Sequence, residues 1–425
     1  MYVRQPRRYL MVVPVRAFTI DEQRAAMESA FCEHLRELLA RLAPSFDEMT
    51  VATVGMPQAD FEANEAHLGV LDAQRDRIRV VPLYPGELGT VDFARALPEV
   101  LRRLRGLVRE HALVHSGPSH DLRRPIEIAS LAMGVREGRP TISVTDIDLR
   151  SDAEMNRKLG RWSLKSYLLC RFLYDPVRDL EHHWIARRCS LVLFKSEAQR
   201  ADYGADRPNV RTFQDVAFQA QHLIAPDALE EKIAAVRDPR RPLEAVYFGR
   251  LVAYKGVDRC LDAVASARAR GRDVRLTVIG TGDEEPRLRE KARGLEEVVR
   301  FQGAVPYGAP LFDQVRARHL MLATPLSNDT PRSTWDAMAS GVPVLAFGTD
   351  YYRDLEASTG AVETVPWPST EALADRLTHY ADHREELAER MRAAVEVAKE
   401  NTSEAWLQRR VAWTRALMQP QAGAA

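Results

Sequence analysis

Short apolar runs alternate with amphipathic stretches along almost the whole chain, and that rhythm limits the fold more than any other feature. In the first half the runs are "YLMVVPV", "MTVATV", "IRVVPL", "ALVHS", "TISVTD" and "SLVLFKS". Helical patterns lie between them, over 21–43 and 91–110 for example. Strands that alternate with helices imply βα units, hence a parallel sheet covered on both faces. The rhythm weakens across "APDALEEKIAAVRDPRRPLEAV", where charge and proline gather near 225–242, and then restarts with "LEAVYFG", "VRLTVIG", "VRFQG", "HLMLAT", "VPVLAF" and "AVETVPW". A chain of 425 residues is also too long for one ordinary core. The expected fold class is therefore α/β, with two doubly wound, Rossmann-like domains facing a cleft. They are expected over 1–238 and 239–400. Residues 401–425 should form a capped terminal helix and tail, with Ser403 or Thr402 as cap, and this helix can cross back. Ligands of open α/β sheets sit beyond the carboxyl ends of the strands, so the cleft is the natural site.

Composition narrows the function classes. Lys+Arg and Asp+Glu number 60 each, so no global field recruits nucleic acid or an anionic membrane, and any anion site must be local. The four cysteines form no Cys-x-x-Cys pair, which speaks against a zinc site or disulfide framework and for a reducing compartment. The start "MYVRQPRRYLMVVPVRAF" is basic, but its apolar run is short and broken by Pro14 and Arg16. It fits a first buried strand better than a signal peptide. With no run long enough to span a bilayer, a cytoplasmic protein is expected.

Three segments carry anion-binding chemistry. In "SNDTPRSTWDAMASGVPVLAF", residues 327–347, Thr330 is expected to cap a helix, Pro331 to open it and Gly341 to close it. An open helix start presents unpaired N–H groups to an anion. After the strand "AVYFG", the loop "RLVAYKG" places Arg250 and Lys255 just past a carboxyl end, where a fork and a point charge suit a diphosphate. "VIGTGDEEPRL" adds a Gly-x-Gly turn at Gly280 and Gly282, a weaker signal alone.

These segments occur in the order seen in family 4 glycosyltransferases, which the chain resembles closely over 243–347 and loosely elsewhere. "YFGRLVAYKGVDRCLDAV", "LTVIGTGDEEPRL", "VRFQGAVPYGAPL" and "DAMASGVPVLAF" carry the resemblance. It implies the two-domain GT-B fold and retaining transfer of a sugar from a nucleotide diphosphate donor. It places Arg250 and Lys255 on the diphosphate, Gly280 and Val305 near the nucleotide, and Thr330 and Ser333 at the anion-facing helix start. Of the family's Glu-x7-Glu pair, the ribose-binding Glu falls on Asp336 and the sugar-facing Glu on Asn328, beside Asp329. An amide hydrogen-bonds hydroxyls but brings no charge to a developing cation. The family's histidine after an N-domain strand falls on Asp146, and "EKG" becomes "YKG" with Tyr254. Asn328 and Asp146 are thus the candidate catalytic residues.

Asp146 and Asp148 form "DID", a possible metal pair, but a strand-end role for Asp146 toward donor sugar or acceptor is favoured, with an N-cap as the plain alternative. No metal and no cofactor beyond the nucleotide-sugar donor are expected. His115 is a candidate for the cleft, although a satisfied loop histidine is the commoner case. The basic, apolar stretch 157–174 is expected to be a core-facing helix, with membrane-surface docking the less favoured reading. The partners expected are a nucleotide-sugar donor and a small-molecule or glycoconjugate acceptor, and no nucleic acid. The rival functions are a binding or scaffold protein with a degenerate donor site and a nucleotide-sugar epimerase.

Overall fold

The computed structural model describes residues 7–146 and 148–419. The strands in chain order are β1 (Arg8–Thr19), β2 (Arg24–Glu28), β3 (Glu48–Gly55), β4 (Leu68–Asp72), β5 (Ile78–Pro85), β6 (Leu113–Ser116), β7 (Thr141–Thr145), β8 (Leu191–Phe194), β9 (Val210–Thr212), β10 (Leu243–Phe248), β11 (Val274–Ile279), β12 (Val299–Gly303), β13 (Leu320–Ala323), β14 (Val344–Phe347) and β15 (Val362–Val365). Every apolar run singled out in the sequence forms one of them. Strands such as "LVLF" and "VLAF" are buried at every position, as parallel strands covered on both faces must be.

All strands but β2 and β4 form two parallel sheets. The first runs β5-β3-β1-β6-β7-β8-β9, and the second β12-β11-β10-β13-β14-β15. Each has a core on both faces. In the second sheet, Leu276 and Leu345 pack to one side, and Val246 and Ala346 to the other. Both orders reverse direction beside their first long strand, at β1/β6 and β10/β13, and such switch points open a crevice past the strand ends.

Two features depart from expectation, and the terminal helix follows it. The helix expected over 21–43 begins only at Ser29, because β2 pairs antiparallel with the far end of β1 and with β4. The helix Pro226–Val236 turns Leu229, Ile233 and Val236 into the core of the second sheet, so by packing the second unit begins before residue 239. The helix Ser403–Ala416, capped by Thr402, does cross back: Leu407 and Val411 pack with Leu35 and Leu39 of the first domain. Its Arg415 clamps that position by donating to the carbonyls of Arg41 and Ala43. Among the described residues no helix is long and apolar enough to cross a membrane.

Candidate functional site

The crevice between β10 and β13 is built by two loops locked together. Gly256 sits at φ +65°, and a Cβ there would lie 2.1 Å from the Thr324 carbonyl oxygen, so only glycine lets the loops approach. Thr324 Oγ1 donates to the Gly256 carbonyl at 2.8 Å, and Leu326 N–H to that of Tyr254 at 2.7 Å. This closeness carries Lys255 to the β13 loop, where its ammonium pairs with the Asp329 carboxylate. Lys255 therefore has an anionic partner already, which its place in "YKG" did not disclose. Arg250 is exposed at the end of β10 and donates to the Tyr254 hydroxyl at 2.7 Å, so Tyr254 holds the guanidinium at the mouth.

Asn328 is buried at 5% exposure, and its amide nitrogen finds no acceptor among the described residues. A buried donor of that kind is costly unless something accepts from it. Thr330 does not cap a helix. The helix spans only Ser333–Ala339, with Arg332 at the cap position and no side-chain cap, because Asp336 N–H bonds back to the Arg332 carbonyl. Thr330 Oγ1 lies 3.4 Å from the Asp146 carbonyl and so joins the two domains across the cleft. Ser333 is half-buried at the helix start, and Gly341 closes the helix at φ +64° as expected.

Asp336 is only 5% exposed, and its helix neighbours Trp335, Ala337 and Met338 are buried with it. Burial pushes its carboxyl up to about 7, against the opposing hydrogen bond that Tyr307 donates at 3.1 Å. That bond ties the loop bearing Val305, which packs on the second-domain core, to Asp336. Gly280 is explained by packing: a Cβ would lie 2.0 Å from the Gly249 oxygen, and its N–H is spent on the Gly303 carbonyl at 2.7 Å.

On the opposite wall, Asp146 is exposed at the end of β7, 3.5 Å from Lys195 Nζ. Lys195 follows β8, is only 8% exposed, and also lies 3.7 Å from Asp215. Sequence reasoning passed over Lys195, although a lysine directly after the buried run "LVLF" is the signal that marks it. Asp148 is not part of this group: it is buried and gripped by Arg150 through paired guanidinium contacts. His115 lies in the core, bonded to the Tyr9 hydroxyl at 2.7 Å, and burial lowers it to about 3. The stretch 157–174 is not core-facing. Leu164, Leu168, Leu169, Phe172 and Leu173 are all exposed.

Residues 242–383 match the family model described as "Glycosyl transferases group 1". The chain is 33% identical over 141 residues to a phosphatidyl-myo-inositol mannosyltransferase of Mycobacterium leprae, covering 33% of this chain and 37% of that protein. It is 28% identical over 137 residues to an alpha-D-kanosaminyltransferase of Streptomyces kanamyceticus, covering 30% and 35%. The aligned region is thus little more than a third of the curated relatives it matches. The whole fold is similar to that of Anabaena Alr3699/HepE solved with UDP, with a TM-score of 0.62 at 15% identity over 96% of this chain and 99% of the other. It is equally similar to a sucrose-phosphate synthase of Thermosynechococcus elongatus, with a TM-score of 0.62 at 15% identity over 97% and 99%. The two-domain GT-B architecture is therefore shared over nearly the whole of the chain.

Proposed function

We propose that the chain is a retaining, metal-independent glycosyltransferase that takes a sugar from a nucleotide diphosphate donor in the cleft. The observation that carries this reading is the convergence, at the β10/β13 switch point, of Arg250, Lys255 and the buried amide of Asn328, which has no acceptor among the described residues. The match of residues 242–383 to a glycosyltransferase model supports it.

In this reading the diphosphate displaces Asp329 from Lys255 and takes Arg250 as its second cation. Asp336 and Tyr307 receive the ribose, and Asn328 donates to a sugar hydroxyl. The bond from the anomeric carbon to the phosphate oxygen breaks as the acceptor oxygen bonds to that carbon on the same face. The acceptor proton passes to the departing phosphate. Asp146 faces the positive charge that develops on the sugar, and such preorganised charge is worth most in a water-poor cleft. Two fixed cations supply what a divalent ion would otherwise supply to the leaving group. The cysteines are buried free thiols, which fits a cytosolic setting.

A thermal-shift screen of ribonucleoside diphosphates tests this reading. UDP is the first to try, because a structural neighbour was solved with UDP and with UDP-glucose. Sugar nucleotides of the winning base should then be cleaved with retention at the anomeric carbon, and turnover should persist in EDTA. Absence of stabilisation by any diphosphate would favour a scaffold, and turnover lost in EDTA but restored by Mn²⁺ would remove metal independence.

A further inference from the structure

Between the outer helices of the first domain lies a cavity that the cleft chemistry does not use. One wall belongs to the helical rod after β7, formed by Leu164–Leu169, a π-helical turn over Cys170–Tyr174, and Asp175–Arg188. Facing it are the helix Glu197–Gly204 and the loops that follow β6 and β7, which contribute Ser119 and Leu149. The cavity holds about 50 Å³ and adjoins a groove of about 250 Å³, with Arg150, Asp175, Asp179 and Tyr203 lining both. A single water needs only about 10–15 Å³, so the void is larger than one solvent molecule. The loop after β6 is fixed in place, because the Ser119 N–H and hydroxyl both donate to Glu181.

Three of the lining side chains keep polar atoms without a partner. Asp175 is 5% exposed; its Oδ1 accepts from Arg178 at 3.3 Å, while its Oδ2 has no donor among the described residues. Arg178 Nε is likewise buried with no acceptor among them. His182 is 8% exposed and holds Nδ1 2.8 Å from the Arg178 carbonyl, so Nδ1 carries the proton and donates. Burial keeps the ring neutral and leaves Nε2 as an acceptor with no donor among the described residues. Such atoms are costly to bury unless a ligand or solvent completes them. Charge and shape then select the ligand. Arg150, Arg171 and Arg178 line the cavity and groove against Asp175, Asp179 and Asp202, a balance that favours a neutral group over an ion. The His182 ring stacks on Tyr203 at 4.8 Å and 17°, and Pro118 and Leu149 add apolar surface. Two acceptors, one donor and an aromatic floor fit two adjacent hydroxyls on a carbon ring.

We propose that this cavity and its groove form a saccharide site that takes a neutral sugar ring by a vicinal diol. One hydroxyl donates to Asp175 and accepts from Arg178 Nε. Its neighbour donates to His182, and a C–H face of the ring lies toward the aromatic pair. The site is separate from the β10/β13 crevice, which contributes no residue to its lining. The inference stands on this cavity alone and is independent of the function proposed above.

The test is ligand-observed NMR titration of the full chain with the methyl α-glycosides of glucose, mannose and galactose, and with cyclohexanol as a ring that lacks a diol. Wild type should bind at least one glycoside and leave cyclohexanol free. His182→Phe keeps an aromatic ring against Tyr203 but removes Nε2, and it should weaken glycoside binding roughly tenfold or more. Leu149→Trp narrows the mouth and leaves the buried partners in place, and it should have the same effect. If His182→Phe lowers the melting temperature, Leu149→Trp alone carries the comparison. Binding should persist when the nucleoside diphosphate selected by thermal shift is present in excess. Wild type that binds none of the three glycosides overturns the proposal and leaves the cavity to water. Binding that folded His182→Phe or Leu149→Trp leaves intact also overturns it, as does equal binding of cyclohexanol. Displacement of the glycoside by the diphosphate would place the sugar in the crevice instead.

Discussion

The two walls of the cleft each present a lysine held by aspartate, yet their charge balance is opposite. On the second-domain wall, Arg250 and Lys255 stand against Asp329, two cations to one anion. On the first-domain wall, Lys195 stands between Asp146 and Asp215, one cation to two anions. A diphosphate suits the first and a developing sugar cation the second, so the field across the cleft points the way the proposed reaction moves charge. The difference teaches that a strand-end lysine is not by itself a phosphate ligand; what surrounds it decides. Lys195 is buried and outnumbered, and it organises carboxylates. Lys255 has one partner that a stronger anion can replace.

The largest expected effect breaks the first-domain wall. Asp146→Asn should lower turnover roughly 100-fold while leaving nucleoside diphosphate affinity unchanged, since it removes charge felt in the transition state only. Steady-state rates and calorimetry on one preparation check this, and a parallel loss of affinity would move Asp146 to the donor side.

Asp336→Asn comes next. It should weaken ribonucleotide binding by about 1–3 kcal/mol, and the 2′-deoxyribonucleotide should bind the variant almost as well as the ribonucleotide does. The same residue sharpens a pH dependence. Its carboxyl rises from 3.8 in the unfolded chain to about 7 in the fold, so the folded state holds the proton more tightly. The stability it contributes is full below about pH 4 and is lost as pH rises toward 7. Thermal melts across that range should fall less steeply in Asp336→Asn. Part of the slope should persist, because burial also raises Glu127 to about 7. Identical slopes would mean that Asp336 ionises as freely as in the unfolded chain.

Smaller effects test the lysine pairs. Lys195→Met and Asp146→Asn should be coupled in turnover by about 1 kcal/mol, because each acts through the other. Additive losses would separate them. Asp329→Asn should tighten diphosphate binding by about 0.5 kcal/mol, as an ion pair whose side chains are 15% and 20% exposed no longer competes for Lys255. Weaker binding would show that Asp329 helps the donor instead of blocking it.

Much of the fold was legible because buried parallel strands are apolar at every position, as "AVYF" and "VLAF" are. β2 was not, because "RAAME" carries no β-branched residue and is extended only by pairing with β1 and β4. Thr330 and Pro331 look like a helix start, yet the chain there is drawn across the cleft to Asp146 and helix begins at Ser333. Arg250 and Lys255 were legible as strand-end cations, whereas Asp329 as a lysine partner depends on two loops meeting from distant sequence. The apolar rod at 164–180 has the pattern of a packed helix, and nothing local tells which side of such a helix the domain covers. The burial of Asp336 was not legible for the same reason, since a carboxylate in a short helix gives no sign that its helix neighbours are buried.

The central claim is that the β10/β13 crevice binds a nucleoside diphosphate through Lys255. It is tested most directly by calorimetric titration of the diphosphate selected by thermal shift into wild type and Lys255→Ala. Loss of the ammonium removes a charged hydrogen bond and leaves Asp329 facing the phosphate, so affinity should fall by about 1.5–3 kcal/mol, with a smaller loss for the nucleoside monophosphate. Equal diphosphate affinity in the two proteins would contradict the account, because it would place the phosphates away from the crevice that the two loops build.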